Sequence, residues 1–239
     1  MPPLPRRSGP DPGDRDTPRQ SNGTAALPAP LRTGWLRPVS LRPVPLAALL
    51  LSAALMPWSA AQAAPTQVLL LRHGHKSGLP GDFNLSPQGL DRAIALAALL
   101  PACFGQPTHI LTFYLDPVSS KNARSYQSAV PLAVASRVNI QIDEASREAS
   151  RQSGQRILND PRYSNGRVVL FWEHRRMPEL AAGLGWSGMS PIADDSFDDL
   201  FELTYPPGSG QPVVRRLSQS ALLSGRQSCP QPAKRSAAP

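Results

Sequence analysis

Four residues of this chain, Arg72, His73, Arg124 and His174, are of the types that phosphoryl chemistry uses. A guanidinium is a planar fork of permanently charged donors matched to phosphate oxygens, and a neutral imidazole can attack phosphorus as a nucleophile. Phosphoryl transfer asks mainly for positioning and charge neutralisation. Two arginines and a second histidine around a nucleophilic histidine therefore suffice without a metal. Gly74 follows His73 and lets the backbone pass close to a substrate, while His75 and Lys76 are placed to touch one. Taken singly, each residue has a plainer reading. His73 is then a turn histidine, Arg124 an exposed helix arginine near Asp116, and His174 a satisfied residue closing a strand. His109 reads as structural, Arg175 and Arg176 as a solvated basic turn, and Trp172 and Trp186 as packing residues.

The elements that must position these groups are legible as alternating runs. Residues 67–71 are a short apolar stretch that stops at Arg72-His73-Gly74, as a buried strand does at a polar turn. Ser86-Pro87 pairs a cap with a first-turn proline, and Leu90, Ala93, Ile94 and Ala97 recur at helical spacing until Pro101. Residues 109–114 predict a strand, 122–136 a helix interrupted or kinked at Pro131, 138–142 a strand and 146–158 a polar helix. Asn165-Gly166 turns the chain into a β-type run at 167–172. A helix over 177–184 follows, then a hairpin of 201–205 and 213–218 across Pro-Pro-Gly-Ser-Gly. Strands alternating with helices predict an α/β fold, a three-layer α/β/α sandwich around a mainly parallel sheet, with its site beyond the carboxyl ends of the strands.

In those settings the sequence resembles the histidine phosphatase superfamily, also called phosphoglycerate mutase-like. The matching pieces are Arg72-His73-Gly74 after an apolar strand, Asn84-Leu85-Ser86-Pro87-Gln88-Gly89 with Arg92-Ala93 in the next helix, Ser120-x-x-x-Arg124-x-x-Gln127-Ser128-Ala129, and His174 after a Val/Leu/Phe strand. They span residue 67 to about Gly185, in the family's order. The resemblance implies a phosphomonoesterase in which His73 is phosphorylated and Arg72, Arg124 and His174 cradle the phosphoryl group. It implies no cofactor and a small phosphorylated substrate. The Trp172-Glu173-His174 and Pro178-Glu179-Leu180 segments look like a small exported or bacterial branch rather than the mutases proper. A proton donor for the leaving alkoxide is also implied, at Asp143 or Glu144 with Glu148 one turn on; we take Glu144. Glu173, as a strand neighbour of His174, is expected to face away.

Composition divides the chain. Of its 28 prolines, 13 fall in the first 65 residues, and residues 64–239 carry about half of the net charge of +8. With charges of both signs interspersed and no basic run beside aromatics, nucleic-acid binding is disfavoured. Residues 45–56 are apolar, follow Arg37 and Arg42 and precede Ala61-Gln62-Ala63, the pattern of a signal peptide cut after Ala63. That run is too short for a membrane span, which needs roughly 20 residues, so no stable membrane insertion is expected after cleavage. The stretch before it is long for a signal, and Val39 or Leu41 is an alternative start; the plainer reading is a disordered tail with a chance apolar patch. The expected organisation is a leader over 1–63, one domain over 64–225 and a disordered tail over 226–239. If exported, Cys103 and Cys229 are either one disulfide or two unrelated thiols.

Three functional readings follow: an exported phosphatase, a phosphate-binding module with weak or no catalysis, and a metal hydrolase using His73 and His75. The last lacks the further ligands that a zinc site needs. Loops at 77–83 and 194–199 are expected to set selectivity, and the acidic pairs Asp194-Asp195 and Asp198-Asp199 read as solvated surface. The physiological substrate and the oligomeric state have no signal in the sequence.

Overall fold

The computed structural model describes residues 64–143 and 149–230. All belong to the unit Trp58–Pro239. Six strands, β1 (Gln67–Arg72), β2 (His109–Thr112), β3 (Ile140–Ile142), β4 (Arg167–Trp172), β5 (Asp199–Thr204) and β6 (Val213–Ser218), form one sheet in the order β3-β2-β4-β1-β5-β6. The β1–β4, β2–β4 and β2–β3 pairings are parallel, whereas β5 and β6 join antiparallel at the β1 side. The helices are α1 (Pro87–Phe104), α2 (Ala123–Ser136), α3 (Ser150–Asn159), α4 (Met177–Gly183) and α5 (Gln219–Leu223).

Buried strands send successive side chains to opposite faces, and β1 and β4 divide their residues accordingly. Val68, Leu70, Val168, Leu170 and Trp172 pack with Met177, Leu180 and Ile157 from α3 and α4. Leu69, Leu71, Val169 and Phe171 pack on the other face with Leu96, Leu100 and Leu132 from α1 and α2. The result is the three-layer α/β/α sandwich with a mainly parallel sheet that the alternation predicts. Trp172 Nε1 keeps its buried donor satisfied by Ser150 Oγ at 3.0 Å.

Some expected bounds shift. Helix α1 runs through Pro101 to Phe104, because a proline in the last turn forfeits a single backbone bond and Gly105 N closes the end on Pro101 O at 2.9 Å. Residues 226–230 are described and belong to the fold. Cys229 is disulfide-bonded to Cys103 at a Cα–Cα distance of 4.9 Å, and Gln227 N donates to Ala221 O. The leader over 1–63 and the tail from 231 lie outside the described residues. Among the described residues no helix is long and apolar enough to cross a membrane.

Candidate active site

The parallel register decides where the chemistry falls. Arg72 pairs with Trp172 at the ends of β1 and β4, and His73 N donates to Trp172 O at 3.2 Å, so His73, Glu173 and His174 emerge side by side. Arg124 and Ser125 come from the first turn of α2, which follows β2. Arg72, His73, Arg124 and His174 thus line one cavity of about 150 Å³, together with Lys76, Phe83, Lys121, Asn122, Ser125, Glu173, Arg175 and Asp194.

His73 is buried, and its Nδ1 lies 2.8 Å from Gly74 O. A carbonyl only accepts, so Nδ1 carries the proton and a neutral ring keeps its lone pair on Nε2. Burial pushes His73 down to about 3, helped by the fields of Arg72, Arg124 and His174 and opposed by the Gly74 bond. His174 stands edge-on to it, with ring centroids 6.5 Å apart.

The two arginines hold the loops that flank the cavity. Arg72 donates from Nη1 to Ala193 O at 2.9 Å and Ser196 O at 2.6 Å, and from Nη2 to Asp194 O at 2.9 Å. Its guanidinium also lies 3.9 Å over the Phe197 ring. Burial lowers Arg72 to about 10, so it stays charged at neutral pH. Arg124 donates from Nε to Asn84 O at 3.0 Å and from Nη2 to Asp82 O. Gln127 completes that clamp, accepting from Leu85 N at 2.8 Å and donating to Asn84 Oδ1 at 2.7 Å. Ser86 then caps α1 by accepting from Gly89 N at 3.1 Å.

Buried polar atoms of four cavity-lining residues, Arg72 Nε, Asn122 Nδ2, Ser125 Oγ and His174 Nδ1, have no hydrogen-bond partner among the described residues. Buried donors are normally paired, and these fit an anion. No cluster of three or more His, Cys, Asp or Glu side chains able to hold a metal ion occurs among the described residues.

The remaining expected site residues separate. Lys76 lines the cavity, but His75 does not; its ring stacks on Phe197 with centroids 4.4 Å apart. Gly74 is absent from the lining, and its lack of a side chain serves packing instead. A β-carbon there would lie 2.9 Å from Gly89 O and 3.1 Å from Leu85 Cδ2. Glu144 lies outside the described residues. Asp143, its alternative, is buried, pairs with Arg156 at 2.8 Å and borders a different hollow with Gln141 and Tyr163.

Two carboxylates that the sequence set aside line the cavity. Glu173 does not face away, because β4 ends at Trp172 and the chain turns into a 3₁₀ turn at His174–Arg176, where strand alternation no longer applies. Its Oε1 accepts from Arg175 Nε at 2.9 Å and lies 3.0 Å from His174 Nδ1, without hydrogen-bond geometry. Asp194, read as solvated surface, has Oδ1 2.5 Å from His174 Nε2. Asn122 and Ser125 flank Arg124 in sequence, and that adjacency is the signal that could have found them. Asp194 has no such signal, being 121 residues from His73 and 20 from His174 in an unpatterned loop.

No protein-family model matches the chain, and no curated protein does. Solved structures do. A mycobacterial glucosyl-3-phosphoglycerate phosphatase is similar at 16% identity and a TM-score of 0.44, over 64% of this chain and 97% of its own. The protein histidine phosphatase SixA, solved with tungstate, is similar at 16% identity and a TM-score of 0.47, over 65% of this chain and 99% of its own. A phosphoglycerate mutase from Bacillus anthracis is similar at 10% identity and a TM-score of 0.45, over 70% and 99%.

Proposed function

We propose that the chain is a phosphomonoesterase of the histidine phosphatase type, with His73 as the residue that becomes phosphorylated. The observation that carries this reading is the fixed tautomer of a buried, neutral His73, Nδ1 bonded to Gly74 O, in a cavity bordered by Arg72, Arg124 and His174. His73 Nε2 forms a bond to phosphorus as the bond from phosphorus to the ester oxygen breaks. The electron pair leaves on that oxygen, which takes up a proton. Water then attacks the phosphohistidine, the N–P bond returns its pair to Nε2, and phosphate departs with the oxygen of water. Arg72 and Arg124 supply the positive field and hold the flanking loops, and Asn122 and Ser125 offer further polar groups to the oxyanion. Lys76 is the contact on the substrate side. The cavity volume of about 150 Å³ suits the phosphoryl group of a small monoester.

Purified protein is expected to hydrolyse 4-nitrophenyl phosphate, to yield acid-labile phosphohistidine on rapid quench, and to lose at least ~10³-fold in kcat on His73→Ala. Inert protein that still binds phosphate by calorimetry, with no phosphohistidine, would overturn this in favour of a binding module. One observation favours that second reading: both Nη atoms of Arg72, and Nε and Nη2 of Arg124, donate to loop carbonyls.

The proposal includes export. The leader over 37–63 supports it, as does the Cys103–Cys229 disulfide, a bond that persists in oxidising compartments. Native protein whose first residue is Ala64, recovered outside the cytoplasm, is the expected result; cytoplasmic protein retaining residues 1–63 would overturn it.

A further inference from the structure

The phosphatase reading needs a group that gives a proton to the leaving oxygen and takes one from water. Among the described residues the carboxylates lining the cavity are Glu173 and Asp194. Glu173 is committed to positioning: it is buried, held by Arg175 and set beside His174 Nδ1. Asp194 differs in every respect. Its side chain is 78% exposed at the cavity, and Oδ1 is 2.5 Å from His174 Nε2. The backbone behind it is pinned, since Arg72 takes the carbonyls of Ala193, Asp194 and Ser196, and Arg92 Nη1 takes that of Phe197 at 2.6 Å. A carboxylate on a fixed strap, open to solvent yet bonded to a buried imidazole, has the placement that proton exchange requires.

Resting on the phosphatase reading, we infer that Asp194 is a catalytic residue, working with His174 as the pair that protonates the leaving oxygen and deprotonates the attacking water. Burial lowers the pKa of His174, opposed by its bond to Asp194; in the inferred cycle the bound phosphate dianion offsets that burial and holds the ring as an imidazolium, with Nε2–H on Asp194 Oδ1 and Nδ1 beside Glu173. As the P–O bond breaks, the ester oxygen takes the proton shared between His174 Nε2 and Asp194 Oδ1, leaving a neutral imidazole and a carboxylate. When water attacks the phosphohistidine, its proton returns to that pair and the electron pair of the N–P bond returns to His73. Protons balance over the two steps. His174 then acts on the reacting oxygens together with Asp194 and does not cradle the phosphoryl group alone.

The test compares wild type, Asp194→Asn, Asp194→Glu and Glu144→Gln on 4-nitrophenyl phosphate, whose leaving group departs without a proton, and on glycerol phosphate, whose alkoxide cannot. Asparagine keeps an acceptor for His174, so vanadate affinity is expected within about 3-fold of wild type, while the negative charge that holds the transferable proton on His174 Nε2 is removed. Asp194→Asn is expected to lose ~10²-fold or more in the first turnover of glycerol phosphate, little in that of 4-nitrophenyl phosphate, and to accumulate phosphohistidine. Asp194→Glu is expected to recover part of the loss. Equal effects on both esters, an unchanged kcat with tighter phosphate binding, or the same selective loss in Glu144→Gln instead would each overturn the assignment. Absence of phosphohistidine in wild type would overturn the phosphatase reading itself, a result separable from the others.

Discussion

The charge state of His73 follows from burial more than from any neighbour. An imidazole held near 3 is neutral throughout the physiological range, so in the proposed reaction the acid limb of any pH profile belongs to the substrate or to the His174–Asp194 pair. It also has a stability consequence. The unfolded chain binds the proton of this histidine at about 6.5, well above the folded value. The contribution of the neutral ring is therefore fully present above pH 6.5 and is lost as pH falls toward about 3. Urea unfolding of wild type and His73→Asn at pH 6.5 and 4.5 is expected to show wild type losing about 2 kcal/mol more than the variant; parallel losses would contradict a buried, neutral His73. At this scale the sequence is informative wherever residue type coincides with a strand end, as at Arg72, His73 and His174, or with a helix start, as at Arg124. It fails at Glu173, where a turn cancels alternation, and at Asp194, where a loop charge becomes part of the cavity only through tertiary contact.

Elements were more legible than contacts between them. The continuous apolar run of β1 reads directly as a buried strand and the β-type run of β4 as another, and Ser86-Pro87 reads as the start of α1. The antiparallel addition of the β5–β6 hairpin beside β1 does not, because partner choice depends on which edge is free. One inter-element contact explains residues that the sequence reading assigned to chemistry. The backbone of residues 74–75 runs directly against the first turn of α1 at Gly89, with Ser86 N donating to His75 O at 2.9 Å. A β-carbon at Gly89 would fall 2.9 Å from His75 N and closer still to its carbonyl oxygen, with no flexible side chain to give way. Gly89→Ala is expected to cost about 1–3 kcal/mol in urea and to lower activity, since displacing this backbone moves His73. Wild-type stability in that variant would show that the approach is looser than the geometry implies.

For the whole molecule, the decisive constraint is the covalent link between the end of α1 and the segment after α5. Its sequence separation of 126 residues encloses most of the described domain, from Cys103 to Cys229. The sequence left this pair open, because spacing alone carries no distance; it is legible only once α1 and α5 lie on the same face of the sheet, where Leu100, Cys103 and Leu222 share one apolar cluster. Closing so long a loop restricts the unfolded chain strongly, and loss of such a bond costs about 2–5 kcal/mol. Cys103 lies 14 positions along α1 from Gly89, or about 21 Å at 1.5 Å per residue, so the bond is remote from the cavity. Stability and chemistry are thereby separable. Cys103→Ser with Cys229→Ser, or reduction of wild type, is expected to lower the urea midpoint by the equivalent of about 2–5 kcal/mol while kcat on 4-nitrophenyl phosphate stays within about 2-fold at temperatures where both forms remain folded. A fall in kcat matching the fall in stability would mean instead that the end of α1 and the cavity end of the sheet move as one body.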